Sequence, residues 1–180
     1  MEGAKRGLWV HNSSDSFSAS DITAYGHSLN AIQINTNAPS IQFNRLIAYD
    51  NNNSGIYIDG NIAGLSNSLA YNNAAYGIYL SQTGNATIIN NEAYSNRDGI
   101  YVSNGHSNTT AIIGSRDLSL EQGNKVHDNS STGIYASGNV LVAGNTVYNQ
   151  TGSSNGGIFL SNADAESNIV YNNTRGIYVS

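Results

Sequence analysis

Five side chains in the middle of the chain have the types and spacing to act on a substrate: Arg97 and Asp98 in Asn96-Arg97-Asp98-Gly99, His106 in Asn104-Gly105-His106-Ser107, and Arg116 and Asp117, with Glu121 close behind. Asp98 paired with Asp117 or Glu121 would supply the two carboxyl groups that glycoside hydrolysis needs, one as acid and one as base or nucleophile. The same oxygens are the donor set that a Ca²⁺ ion takes, so Ca²⁺ stays open as the one cofactor the residues suggest. Arg97 or Arg116 would act as base or charge stabiliser in an eliminating enzyme. Asp50, Asp59 and Asp128 sit where aspartate serves a turn, and His11, His27 and His127 are scattered, so no metal site is expected.

A second chemical signal is aromatic. One file of residues at repeating positions runs Trp9, Gln33, Tyr57, Tyr79, Tyr101, Tyr135, Phe159, Tyr178, and another runs Tyr25, Tyr49, Tyr71, Tyr94, His127, Tyr148, Tyr171. Together they hold 11 of the 12 tyrosines, so tyrosine placement follows the repeat. Rings with a polar tip can stack on the apolar face of a sugar while the hydroxyl bonds its oxygens. Trp9, Tyr57, Tyr79, Tyr101, Tyr135 and Tyr178 are the candidate substrate-binding residues. Two other roles fit the same files, cross-strand stabilisation of a sheet and a protein interface.

These residues are positioned by a repeat. Gly-Ile-Tyr or a near copy begins at Gly55, Gly77, Gly99, Gly133, Gly157 and Gly176, after degenerate copies at Gly7 and Ala31, giving spacings of 24, 24, 22, 22, 34, 24 and 19 residues. A second landmark, Ala or Val followed by an aromatic, recurs at Ala24-Tyr25, Ala48-Tyr49, Ala70-Tyr71, Ala93-Tyr94, Val126-His127, Val147-Tyr148 and Val170-Tyr171. Two β-type segments per short unit, parted by Gly, Asn and Ser, predict a coil of strands rather than a helical repeat. Within Ile56-Tyr57-Ile58 and its copies the period of two points aliphatic residues inward and tyrosines outward. The 34-residue interval exceeds the usual 22 by 12. Alignment of Asn108–Ile113 with Asn85–Ile89 places the extra residues near Ser115–Gly123, a loop that carries Arg116, Asp117 and Glu121, and such loops on rigid scaffolds are where function concentrates.

Asn91, Asn124, Asn145 and Asn168 each stand three residues before the second aromatic, and Asn51, Asn73, Asn96, Asn129 and Asn173 two after it. In stacked coils such amides can bond to their equivalents above and below, satisfying polar groups that a bend would bury.

On these residues the chain resembles the right-handed parallel β-helix proteins of the pectate-lyase-like superfamily, and more closely the NosD-like repeats, whose units read like Gly144-Asn145-Thr146-Val147-Tyr148-Asn149 followed by Gly157-Ile158-Phe159-Leu160. The resemblance covers Gly7 to Ser180. It implies an all-β, right-handed parallel β-helix of about eight coils, with residues 1–180 as a single domain and roughly 40 Å of rod at about 4.8 Å per coil. The uncovered strand edges at both ends imply further chain segments or a partner protomer there. For activity the resemblance is thinner. Arg97 stands where the Asn-Thr-Asp-Gly segment of polygalacturonases has Thr, the paired-aspartate and basic motifs of those enzymes are missing, and so is the Asp-Pro-His-Asp motif of mannuronan C5-epimerases.

Composition narrows the classes. Twelve acidic residues against 7 basic give a net charge of -5, which speaks against nucleic acid as a partner and against direct capture of uronate polymers unless Ca²⁺ bridges the carboxylates. Cysteine is absent, excluding disulfides and thiolate metal sites. No stretch is apolar enough to insert in a membrane. The sequence reading is therefore an extracellular or envelope β-helix that binds a polysaccharide along its aromatic face without a complete catalytic site. Its alternatives are a fragment of a polysaccharide lyase, hydrolase or C5-epimerase, and a structural rod of an adhesin, tail fibre or surface layer.

Overall fold

The structure, a computed structural model, describes residues 3–13, 17–152 and 156–180. The chain winds through seven turns and begins an eighth, every strand pairing in parallel with its equivalents one coil before and after. Three faces result. The first stacks Leu8–Ser13, Ile32–Thr36, Ile56–Asp59, Tyr76–Ser81, Asp98–Asn104, Ile134–Gly138, Ile158–Ser161 and Ile177–Val179. The second stacks the start of Ala38–Tyr49 with Ile62–Ser66, Thr87–Ile89, Ala111–Gly114, Val140–Ala143 and Asp164–Glu166. The third stacks Ser20–Tyr25, the end of Ala38–Tyr49, Leu69–Tyr71, Glu92–Tyr94, Lys125–His127, Thr146–Tyr148 and Ile169–Tyr171.

From Ile56 to Tyr171 each coil thus holds three strands where the sequence landmarks mark two. The middle strand escapes because its pattern varies from coil to coil: Thr87-Ile88-Ile89 buries only its centre, whereas all four residues of Val140–Ala143 are buried. The first face follows the expected alternation, with Ile56, Ile58, Ile78, Leu80, Ile100 and Val102 fully buried and the intervening tyrosines half-buried on the outside. Ala24, Ala48, Ala70, Ala93, Val126 and Val147 line the core from the third face. Small residues there let the coil stay narrow.

The corners explain the asparagines. At the turn from second to third face Arg45, Asn67, Asn90 and Ser167 adopt φ of 53°, 52°, 56° and 54°, and at the turn from third to first Asp50, Asn72, Ser95, Asp128, Asn149 and Asn172 lie between 52° and 57°. This left-handed conformation tolerates Asn and Asp better than other side chains. It turns the next residue inward, and at five coils of one corner that residue is a buried amide, as Asn91 and Asn145 are at the other. Asn73 donates Nδ2 to Asn96 Oδ1 at 2.9 Å, and its backbone N–H reaches the same oxygen at 3.0 Å. Asn96 repeats the contacts to Asn129 at 3.2 and 3.0 Å, and donates to the Ala70 carbonyl at 3.0 Å. Asn91, Asn124, Asn145 and Asn168 form the second ladder with Nδ2 to Oδ1 distances of 3.0, 2.9 and 3.0 Å. Gln150 takes an asparagine's place, its Oε1 accepting from the Asn129 N–H at 3.0 Å.

The recurrent glycine belongs to the same device. A Cβ on Gly77 would come within 2.6 Å of Asn96 Nδ2 and 2.9 Å of the Gly99 carbonyl, so glycine makes room for the next coil's amide. Replacing Asn96 by Ala would strip the acceptor from two donors on Asn73 and the donor from Ala70. We expect Asn96→Ala to lose about 3 kcal/mol in chemical denaturation, against less than about 0.5 kcal/mol for Asn52→Ala on the exposed side of the same corner; a loss below about 1 kcal/mol at Asn96 would contradict the role given to the ladder.

Candidate functional site

On the first face the outward residues make two parallel rows. Parallel pairing in unbroken register sets Tyr57, Tyr79, Tyr101, Tyr135 and Phe159 in one row and, two residues on, Asp59, Ser81, Ser103, Ser137 and Ser161 in the next. The serine row is invisible in the Gly-Ile-Tyr landmark itself. Its signal is the Ser two positions after the aromatic in four successive coils, which the period of a strand places on the same side.

The tyrosines stack on one another. Ring centroids are 4.7 Å apart for Tyr57 and Tyr79, 4.9 Å for Tyr79 and Tyr101, and 4.4 Å for Tyr101 and Tyr135, with planes within 13° of parallel. Both faces of each inner ring are therefore turned to its neighbours, and what meets solvent is a comb of ring edges and phenolic hydroxyls. Ring-face stacking on sugars, the expectation from sequence, is closed to these inner tyrosines. Trp9 lies at the far end of the file with Arg6 over its ring at 4.8 Å, and Gln33, bonded to Arg6 at 2.6 Å, separates it from Tyr57. Phe159 and Tyr178 close the other end at 5.3 Å with planes tilted by 49°.

Beside this comb lies a recess of about 240 Å³ lined by Tyr76, Arg97, Asp98, Tyr101, Ser131, Thr132 and Tyr135. Tyr76, outside both files in the sequence, stands edge-on to Tyr101 at 5.2 Å, with the Arg97 guanidinium 5.0 Å from its ring centre. Arg97 Nε donates to Asp98 Oδ2 at 2.8 Å. The other Asp98 oxygen accepts the buried Thr132 N–H at 3.0 Å. Asp98, itself 9% exposed, is thus tied to the backbone of the next coil.

The candidate catalytic residues fall on three different edges of the prism. Arg97 and Asp98 stand at the turn into the first face, and exposed His106 at the turn from first to second, where its N–H meets Asn104 Oδ1 at 3.3 Å. Arg116, Asp117 and Glu121 lie in the inserted loop between second and third faces, as the alignment of coils placed it. There Arg116 pairs with Glu166 at 3.0 Å, and Asp117 caps the 3-10 turn Leu118–Leu120, accepting from Ser119 N at 3.0 Å and Ser119 Oγ at 2.6 Å. The structure brings Arg97 and Asp98 together and Arg116, Asp117 and Glu121 together, but it does not bring Asp98 to Asp117 or Glu121. Among the described residues no three His, Asp or Glu side chains gather as a metal would need.

The second file, on the third face, is as regular: from Tyr25 to Tyr171 the centroids are 4.8 to 5.0 Å apart and the planes within 8° of parallel. His127 stands in it between Tyr94 and Tyr148. Its ring nitrogens face Asp128 Oδ2 at 2.7 Å and Glu92 Oε1 at 3.0 Å, and Lys125 Nζ reaches the same Glu92 oxygen at 2.8 Å. Burial pushes the Glu92 pKa up, but the hydrogen bonds from Lys125 and His127 outweigh it and hold the carboxyl below its ordinary value. The third face is accordingly a mixed surface crossed by an ion-pair cluster, whereas the first face is a nearly uncharged field of hydroxyls.

Burial sets the titration of that field. Tyr101 is pushed up to about 12, first by desolvation and then by Tyr135, Tyr79 and Tyr76, and Tyr57 and Tyr79 move the same way. The hydroxyls therefore stay protonated donors through the neutral range. A raised folded-state pKa contributes stability that is complete below the ordinary value of 10.0 and lost as pH rises toward about 12. Denaturation midpoints measured across that interval should fall less steeply for Tyr101→Phe than for the parent chain; equal slopes would contradict the burial argument.

The comparisons with known proteins agree with this architecture. No curated protein matches the sequence. Among solved structures the chain is similar to the A-module of the mannuronan C-5 epimerase AlgE4 of Azotobacter vinelandii, with a TM-score of 0.66 and 16% identity over 84% of this chain and 40% of that one. The chain thus spans less than half of that structure, and at this identity the likeness concerns the fold alone. The model of the right-handed β-helix region matches residues 6–174, nearly the whole repeat series, and the chain belongs to that family.

Proposed function

We propose that the protein binds an extended polysaccharide lengthwise along its first face and carries no complete catalytic site of its own. The observation that carries this reading is the double row of outward hydroxyls, Tyr57, Tyr79, Tyr101 and Tyr135 beside Ser81, Ser103 and Ser137, held in register on a parallel sheet. The rows repeat once per coil, at the 4.4 to 4.9 Å of the ring spacing. That interval is comparable with the length one pyranose adds to an extended chain, so successive sugars can meet successive hydroxyls. Because the stacked rings lock one another, the donors are ordered before the ligand arrives and little side-chain entropy is lost on binding.

The structural neighbour supports the substrate class, since an epimerase of mannuronan acts on a polysaccharide. Dispersal of the candidate acids and bases over three edges supports a binding role over turnover. A polymer ligand also fits an extracellular or envelope location. A second reading, a fragment of a polysaccharide-modifying enzyme, is favoured by one observation, the Arg97–Asp98 pair in the recess beside Tyr101. It requires new polymer ends or altered sugar residues to appear, and Asp98→Asn to abolish them while retention persists.

The hydroxyls can be removed without disturbing the stack. In native affinity electrophoresis the double variant Tyr79→Phe/Tyr101→Phe should lose roughly tenfold in retention, as two hydrogen bonds of about 0.5–1.5 kcal/mol imply, with a nearly unchanged melting temperature. Full retention in that variant would contradict a binding role for the tyrosine comb.

A further inference from the structure

Resting on that binding reading, we infer that the polymer held along the first face is uncharged: a neutral polysaccharide engaged through its hydroxyls, with no divalent cation as bridge. A linear polyanion repeats its charge at every sugar and needs cations that recur along its track. The two outward rows supply none from Asn35 to Ser161. Their single charge is the Asp59 carboxylate, which accepts the Ser81 hydroxyl and would repel a uronate.

The cations of the rod's middle are engaged elsewhere. Arg45 is paired with Asp21, Arg116 with Glu166 and Lys125 with Glu92, all away from the first face. Arg97, at its margin, is neutralised by Asp98 at 2.8 Å. The field of the whole molecule points the same way, since the chain carries -5 overall. Calcium bridging would need clustered carboxylates beside the rows, and among the described residues there is no such cluster. What the face does offer is donors and acceptors in equal measure, for each Ser or Tyr hydroxyl can act as either. That is the complement of a sugar hydroxyl rather than of a carboxylate.

The test is affinity electrophoresis of the full chain through gels containing galactomannan, hydroxyethylcellulose, polygalacturonate or alginate, each with chelator and at salt from roughly 0.01 to 1 M, over which the screening length falls from roughly 30 to 3 Å. The expected result is retention by a neutral polymer that changes less than about twofold across the salt series, with uronate polymers retained at least about tenfold more weakly. Retention by polygalacturonate or alginate equal to or above that by the neutral gels would overturn the inference and leave polysaccharide binding standing. Retention by none of the four would overturn the binding reading and this inference with it.

Discussion

Every part of this molecule answers to one constraint: each coil lies directly over the last, so each side chain packs against its own counterpart one turn away. Inside, that suits aliphatic residues, which stack without direction. At the two corners on either side of the third face, it would leave backbone N–H and C=O groups buried and unpaired. The asparagine ladders answer this, an amide donating to a backbone carbonyl and accepting from both the amide and the N–H of the coil before, as Asn124 does with Ile88 and Asn91, while its own amide and N–H donate onward to Asn145. Glycines such as Gly77 and left-handed residues such as Asn72 and Asn90 follow from the ladders, because the amide needs space and the turn needs that backbone.

The same constraint shapes the outer surface. Tyrosines in equivalent positions must stack, and in stacking they use up their faces and keep only edges and hydroxyls for solvent. A surface that looks aromatic in the sequence is chemically a row of phenols. Repetition also works against catalysis, which needs unlike groups converging on one point. Convergence is available only where the repeat is interrupted, as at the inserted loop, or where an extra ring such as Tyr76 stands off the row beside Arg97 and Asp98.

Much of this was legible in the sequence. The Gly-Ile-Tyr and Ala-Tyr landmarks locate the first and third faces because those strands keep a strict inward-outward pattern, and Asn96 or Asn145 is recognisable because an amide recurs at the same distance from the aromatic landmark, whereas Ser68, which takes an amide's place with its hydroxyl, is not. The second face was not legible: Thr87–Ile89, Val140–Ala143 and Asp164–Glu166 have little in common beyond their place in the coil. Gln150 hides because it serves as an asparagine without being one. The grouping of catalytic candidates failed for a geometric reason. In a solenoid, residues one whole coil apart are neighbours, as Asp98 and Thr132 are, whereas residues separated by part of a coil, such as Asp98 and Asp117, lie on different edges.

On the proposed function the first face, and not the equally aromatic third, is the working surface of the rod. Nuclear magnetic resonance of the chain with ring-labelled tyrosine, titrated with a neutral oligosaccharide long enough to span several coils, addresses it directly. Binding along the first face would concentrate shifts in Tyr57, Tyr79, Tyr101 and Tyr135 and leave Tyr49, Tyr71 and Tyr94 unmoved. Shifts centred on Tyr49, Tyr71 and Tyr94 would contradict it.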